Sequence, residues 1–194
     1  MKFPTRTLIL ACLLFTQQTY ARETLFDGIS NAWNTRTQSV PDTQTIEVGF
    51  SPEGGAETLV LKAIQSAHKS IRVLAYSFTS KPIAEALVAA RKRGVDVRVV
   101  LDKSQKTEKY TSANFLANSG IPTHIDSVHA IAHNKILVID QQHVETGSFN
   151  FTSAAAKRNA ENAIVIWNNP QLADVYMKDW QKHWQHSEEL RATY

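Results

Sequence analysis

Cysteine is nearly missing from this chain: Cys12 stands alone among 194 residues. No disulfide can form within one molecule, and a thiolate metal centre is excluded, so the fold must stand on its apolar core. No internal repeat and no low-complexity tract is visible. Long hydrophobic runs are also lacking. The longest, Leu8 to Phe15, is too short to span a bilayer. Charge of one sign is scarce as well: 21 Lys and Arg face 18 Asp and Glu, which rules out a polyanion binder driven by net charge alone.

The N-terminus reads MKFPTRTLILACLLFTQQTYA. A basic start at Lys2 and Arg6, a short apolar stretch and small residues at Thr19 and Ala21 come in the order of a secretory signal peptide. Residues 1–21 are therefore expected to be removed after Ala21, and the protein to be exported to the periplasm or the medium. Cys12 leaves with that segment, 173 of the 194 residues remain, and the formal charge of +3 falls by two, to +1. This is about one domain. Residues 22–45 are polar and aperiodic, an extension ahead of a domain expected over 46–194.

From Ile46 the periodicity sharpens. IEVGF predicts a strand, SPEGG a turn, and Ala56, Leu59, Val60, Ala63, Ile64 and Ala67 a helix. IRVLAYSF is a strand, Ser80 caps the next helix with Pro82 in its first turn, Gly94 ends it, and VDVRVVLD is a strand again. This unit implies a parallel pair with a right-handed crossover. A short helix is expected over Ser112 to Asn118 and a brief strand at IPTHID. Three strands follow, around His133 to Asp140, His143 to Phe149 and Ala160 to Trp167. The last helix starts at Asn169-Pro170 and has a Leu172, Val175, Tyr176, Trp180, Trp184 stripe that reads as core packing. The fold class is α/β, a mixed, largely parallel β-sheet flanked by helices.

Within HNKILVIDQQHVETGSFN, residues 133–150, His133 and Lys135 are two apart, as are Ser148 and Asn150, so each pair shares a face of a strand. Ile136 to Ile139 are apolar throughout, as in a strand covered on both sides. A buried strand does not carry a lysine without a use for it, so this face is expected to open on a pocket. Asp140 falls on the opposite face and reads as structural. One His beside a cationic Lys makes a poor metal site. The set suits an anionic substrate: Lys135 supplies charge, Ser148 and Asn150 hydrogen bonds, and His133 a nucleophile or acid/base at phosphorus. Glu161 on the next strand can orient His133. Lys103, past a strand end, and Lys157-Arg158 are weaker candidates for tracking a nucleic-acid backbone.

His133-x-Lys135-x4-Asp140-x6-Gly147-Ser148-x-Asn150 resembles the signature of the phospholipase D superfamily at every position. The segments VGFSPEGG, AYSFTS, RKRGVDV, ANSGIP, VETGSFNFT and ENAIVIWN resemble its small exported non-specific endonucleases. The resemblance runs from about Ile46 to the C-terminus. It implies a phospholipase D-like fold with one motif per chain, and a covalent phosphohistidine at His133. Lys135 and Asn150 would bind phosphate oxygens, Ser148 would give support, and Glu161 would orient the histidine. It also implies no cofactor and no catalytic metal. In-line displacement needs a nucleophile and a proton donor on opposite sides of phosphorus, and one histidine cannot occupy both. A two-fold homodimer with a shared site would supply the second. His124, His129 and His143 lack a Lys partner and read as surface or loop residues. The function expected is cleavage of DNA, with RNA left open. A phospholipid or cardiolipin hydrolase and a non-catalytic nucleic-acid-binding module are the alternatives.

Overall fold

The computed structural model describes residues 43–52 and 55–191. The expected signal peptide and nearly all of the 22–45 extension lie outside the described residues. The elements are β1 (Thr45–Ser51), α1 (Gly55–Gln65), β2 (Ser70–Ala75), α2 (Lys81–Lys92), β3 (Asp96–Asp102), a 3-10 turn (Lys103–Lys106), α3 (Ala113–Asn118), β4 (Thr123–Asp126), β5 (Lys135–Ile139), β6 (His143–Gly147), α4 (Ser153–Lys157), β7 (Glu161–Trp167), α5 (Pro170–His186) and β8 (Glu188–Glu189).

The eight strands form one sheet in the order β1-β7-β6-β5-β2-β3-β4-β8. Only β2–β3 and β3–β4 pair in parallel, and the other five neighbours are antiparallel. The sheet is mixed, as expected, but its parallel share is smaller. The helical crossover through α2 is right for β2 and β3. After β4, however, the chain returns in hairpins, and β1 joins β7 from the far end of the sequence.

Alternation along the strands divides the core into two layers. On one face, Ile71, Val73, Val99, Leu137 and Val165 pack under the first four helices. On the other, Leu74, Val100, Ile136, Val138 and Val144 meet Ala173 and Trp180 of α5. Covered on both sides, β5 is buried along its whole length. Helix α5 starts where the sequence predicts, with the Asn169 side chain accepting from Leu172 N–H at 2.9 Å. Its stripe does form core, with Trp180 Nε1 donating to the Val73 carbonyl at 2.8 Å. Val175 is the exception and is exposed, because it lies at the margin of the stripe. Ser80 caps α2 as expected, accepting from Ile83 N–H.

The two sheet edges differ. At one, β8 is two glutamates long. At the other, β1 runs seven residues and exposes Ile46, Val48 and Phe50 at 57%, 51% and 65%. Among the described residues, no helix is long and apolar enough to cross a membrane.

Candidate active site

The register brings the motif together at one end of the sheet. Lys135 opens β5 and pairs with Ala75 at the end of β2. Gly147 closes β6 opposite Ala163, two residues into β7. Glu161 begins β7. All of these positions therefore lie where β2 and β6 finish and where β5 and β7 start.

His133 falls two residues before β5 and is exposed, whereas Lys135 is 6% exposed. The imidazole lies 4.6 Å from the Tyr76 ring, at 53°. The Lys135 ammonium donates to the His133 carbonyl at 2.8 Å and sits 5.3 Å from the centre of the same Tyr76 ring. Tyr76 N–H donates to the Asn134 carbonyl at 2.8 Å, fixing the strand entry. Tyr76 thus packs against both motif side chains, and the sequence reading missed it. Its position directly after β2 was the available signal. Burial lowers the Lys135 pKa from the usual lysine value, while the negative charge of Glu161 acts to raise it.

Gly147 is required by a close approach. A Cβ there would lie 2.2 Å from the Asn162 carbonyl oxygen. That oxygen accepts from Ser148 N–H at 3.0 Å and Phe149 N–H at 3.2 Å, so the turn that presents Ser148 depends on a missing side chain. Ser148 Oγ donates to Glu161 Oε2 at 2.6 Å and accepts from Asn162 N–H at 3.1 Å. Asn159 Nδ2 donates to Glu161 Oε1 at 3.1 Å. Glu161 is therefore held by Ser148 and Asn159, and no hydrogen bond joins it to His133 in the described chain. The strand offset explains this: β7 borders β6, while His133 precedes β5, one strand further on.

Asn150 is half-buried, and its side-chain oxygen is buried without a partner. Rotating the amide by a half-turn presents its NH2 at that spot instead. An unfilled polar group at this end of the sheet suits a ligand with anionic oxygens.

Asp140 is placed elsewhere. It stands beyond the opposite end of β5 with φ of 53°. Its carboxylate accepts from the backbone N–H groups of His68, Lys69 and Ser70 at 2.9, 2.7 and 2.8 Å. Burial works to raise its pKa, but these three donors outweigh it and hold the carboxyl below the ordinary value. Asp140 is a clamp on the α1–β2 connection.

Among the weaker candidates, Lys103 is exposed and donates to the His129 carbonyl at 3.1 Å. Lys157 and Arg158, at the end of α4 just past the motif, are exposed. Neither His124 nor His143 joins the site: His124 stacks on Trp184 with ring centres 3.6 Å apart, and His143 Nδ1 accepts from Asn168 N–H.

Residues 60–184 match the family model described as "Cardiolipin synthase, PLD-like domain". A phospholipase D of Rickettsia bellii is 44% identical over 131 residues, covering 68% of this chain and 65% of that protein. A phospholipase D of Rickettsia typhi is 38% identical over 159 residues, covering 76% of this chain and 78% of that protein. The chain thus spans just under two thirds of the length of the first of these relatives. The crystal structure of Nuc from Salmonella typhimurium, a phospholipase D family member, is 51% identical with a TM-score of 0.75 and covers 76% of this chain and 99% of that one. The motif and these matches agree, and the chain belongs to the phospholipase D superfamily.

Proposed function

We propose that this protein is an exported phosphodiesterase that cleaves nucleic acid without sequence preference, using a site completed by a second copy of the chain. The observation that carries the reading is the convergence of an exposed His133, a buried cationic Lys135 and the Ser148–Asn150 turn at one sheet end. In this reading the His133 imidazole attacks phosphorus. A P–N bond forms, the P–O bond to the leaving strand breaks, and the partner subunit's histidine gives that oxygen its proton. Water then attacks the phosphohistidine, losing its proton to the same partner histidine, and His133 is regenerated. Lys135 and the Asn150 amide stabilise the non-bridging oxygens as phosphorus becomes five-coordinate. Glu161 supports the site through Ser148 and through its charge near Lys135. Orienting His133, the role expected from the sequence, requires those bonds to rearrange. No residue pattern for reading bases is present, so recognition rests on the phosphate backbone.

The test is cleavage of supercoiled plasmid DNA in excess EDTA, with His133→Asn alongside. Cutting by the wild type and none by a folded His133→Asn supports the reading. Activity that needs Mg²⁺ overturns it. A lipid substrate is the second reading, favoured by the phospholipase D names of the Rickettsia relatives. Hydrolysis of cardiolipin or phosphatidylcholine vesicles without DNA cleavage selects it.

A further inference from the structure

Beyond the motif, four side chains converge where β4 ends. Asp126 is the last residue of β4 and is fully buried. His129 lies in the loop that follows, and His183 and His186 sit three apart in the last turn of α5. Asp126 Oδ2 lies 2.8 Å from His129 Nδ1, 2.6 Å from His183 Nδ1 and 3.0 Å from His186 Nε2. Its other oxygen, Oδ1, accepts from the Val128 and His129 backbone N–H groups at 3.0 and 3.3 Å.

Read as hydrogen bonds alone, this hub is over-subscribed. A carboxylate offers about four lone-pair positions, two per oxygen. Oδ1 uses its two on the backbone, which leaves two on Oδ2 for three ring nitrogens. A cation resolves the excess, because it takes one lone pair from each nitrogen and one from the oxygen. The four candidate ligand atoms all lie within 4.8 Å of one another. A tetrahedral ion with bonds of about 2.0–2.1 Å needs ligand separations near 3.3 Å. Reaching that spacing requires the 2.6–3.0 Å nitrogen–oxygen separations to open and the wider separations, all within 4.8 Å, to close.

We propose that Asp126, His129, His183 and His186 form a binding site for one divalent transition ion of the zinc type, structural rather than catalytic. Three imidazoles and one carboxylate are a zinc donor set. Asp179 Oδ2 lies 3.7 Å from His183 Nε2, on the ring edge away from the site, where an orienting carboxylate belongs. The carbonyl end of α5 adds a negative potential. The ion would join β4, the following loop and α5. That loop ends at His133, four residues after His129, so the site ties down the segment that carries the motif histidine without touching the chemistry.

The test is titration of the purified, chelator-stripped protein with Co²⁺ and then Zn²⁺. The expected result is one equivalent of Co²⁺ with the strong visible absorption of a four-coordinate ion, displaced by Zn²⁺. At a Zn²⁺ concentration a hundredfold above Kd, Tm should rise by about 5–10 °C. His186→Gln, at a partly exposed position, should weaken Zn²⁺ at least tenfold. Asp126→Asn should do likewise if circular dichroism shows it folded. Sub-stoichiometric binding, six-coordinate Co²⁺ spectra, or unchanged affinity in folded His186→Gln overturns the proposal and leaves a hydrogen-bond hub only.

Discussion

Replacing Asp140 separates folding from catalysis within one motif. Its carboxylate holds three backbone N–H groups of the α1–β2 connection, about 17 Å from Lys135 at the usual rise per strand residue. Bonds to an ionised acceptor are worth about 1.5–3 kcal/mol each. The group is partly exposed, and water takes over some of the freed donors, so Asp140→Ala should cost about 2–4 kcal/mol rather than the full sum. For a domain of this size that lowers Tm by roughly 5–15 °C. Asp140→Asn keeps Oδ1, which serves Lys69 and Ser70, and loses only the His68 bond and the charge; about 1–2 kcal/mol is expected. The pH dependence has a definite sign. The folded pKa lies below the unfolded one, so the stabilisation is present above pH 3.8 and is lost as pH falls through the folded value. Asp140→Asn should flatten that acid limb. Thermal melts from pH 2 to 7, with cleavage assayed well below each Tm, decide the matter. An Asp140→Ala melt within about 2 °C of wild type would refute the clamp. An Asn variant that is folded but inactive would show that Asp140 does more than hold the connection.

Other expectations follow from single contacts. Gly147→Ala puts a methyl against the Asn162 carbonyl and should cost about 1–3 kcal/mol with loss of cleavage, read by denaturant titration and plasmid assay. Glu145 is fully buried with neither carboxylate oxygen paired, and burial raises its pKa well above 4.5. Stability should therefore fall as pH rises above 4.5 toward the folded value, and Glu145→Gln should remove that fall in pH-dependent melts. Burial also lowers the Lys135 pKa, so kcat should drop on the alkaline side before pH 10.5, and a pH–rate profile should show that limb. Trp180→Phe removes the indole donor to the Val73 carbonyl, a carbonyl that lies in a strand paired on both sides, and should cost about 0.5–1.5 kcal/mol, measurable by urea unfolding.

Much of this was readable in advance because period-two patterning and local caps act over a few residues. Ser80, Asn169, Gly94 and the β2–α2–β3 crossover are of that kind. Strand limits were less readable. His133, Ser148 and Asn150 flank β5 and β6 instead of lying within them, since a side chain that must face a substrate sits where the ladder ends. The parallel share was overestimated because the pairing of Thr45 with Trp167 is long-range and leaves no local trace. The histidines at 129, 183 and 186 were hidden for a related reason. Asp126-x2-His129 and His183-x2-His186 are each visible, but only the docking of α5 against β4 makes them one group.

The unequal edges of the sheet limit how molecules can stack. At the β8 edge the exposed backbone is two residues long and carries Glu188 and Glu189, so it repels a copy of itself and offers little to pair with. Among the described residues, only β1 presents a full-length edge with no strand beside it, and an apolar row lies along it. Strand-on-strand association through β1 consumes the open edge of both molecules and leaves blunt ends outward. Among the described residues, such pairing therefore terminates at two copies.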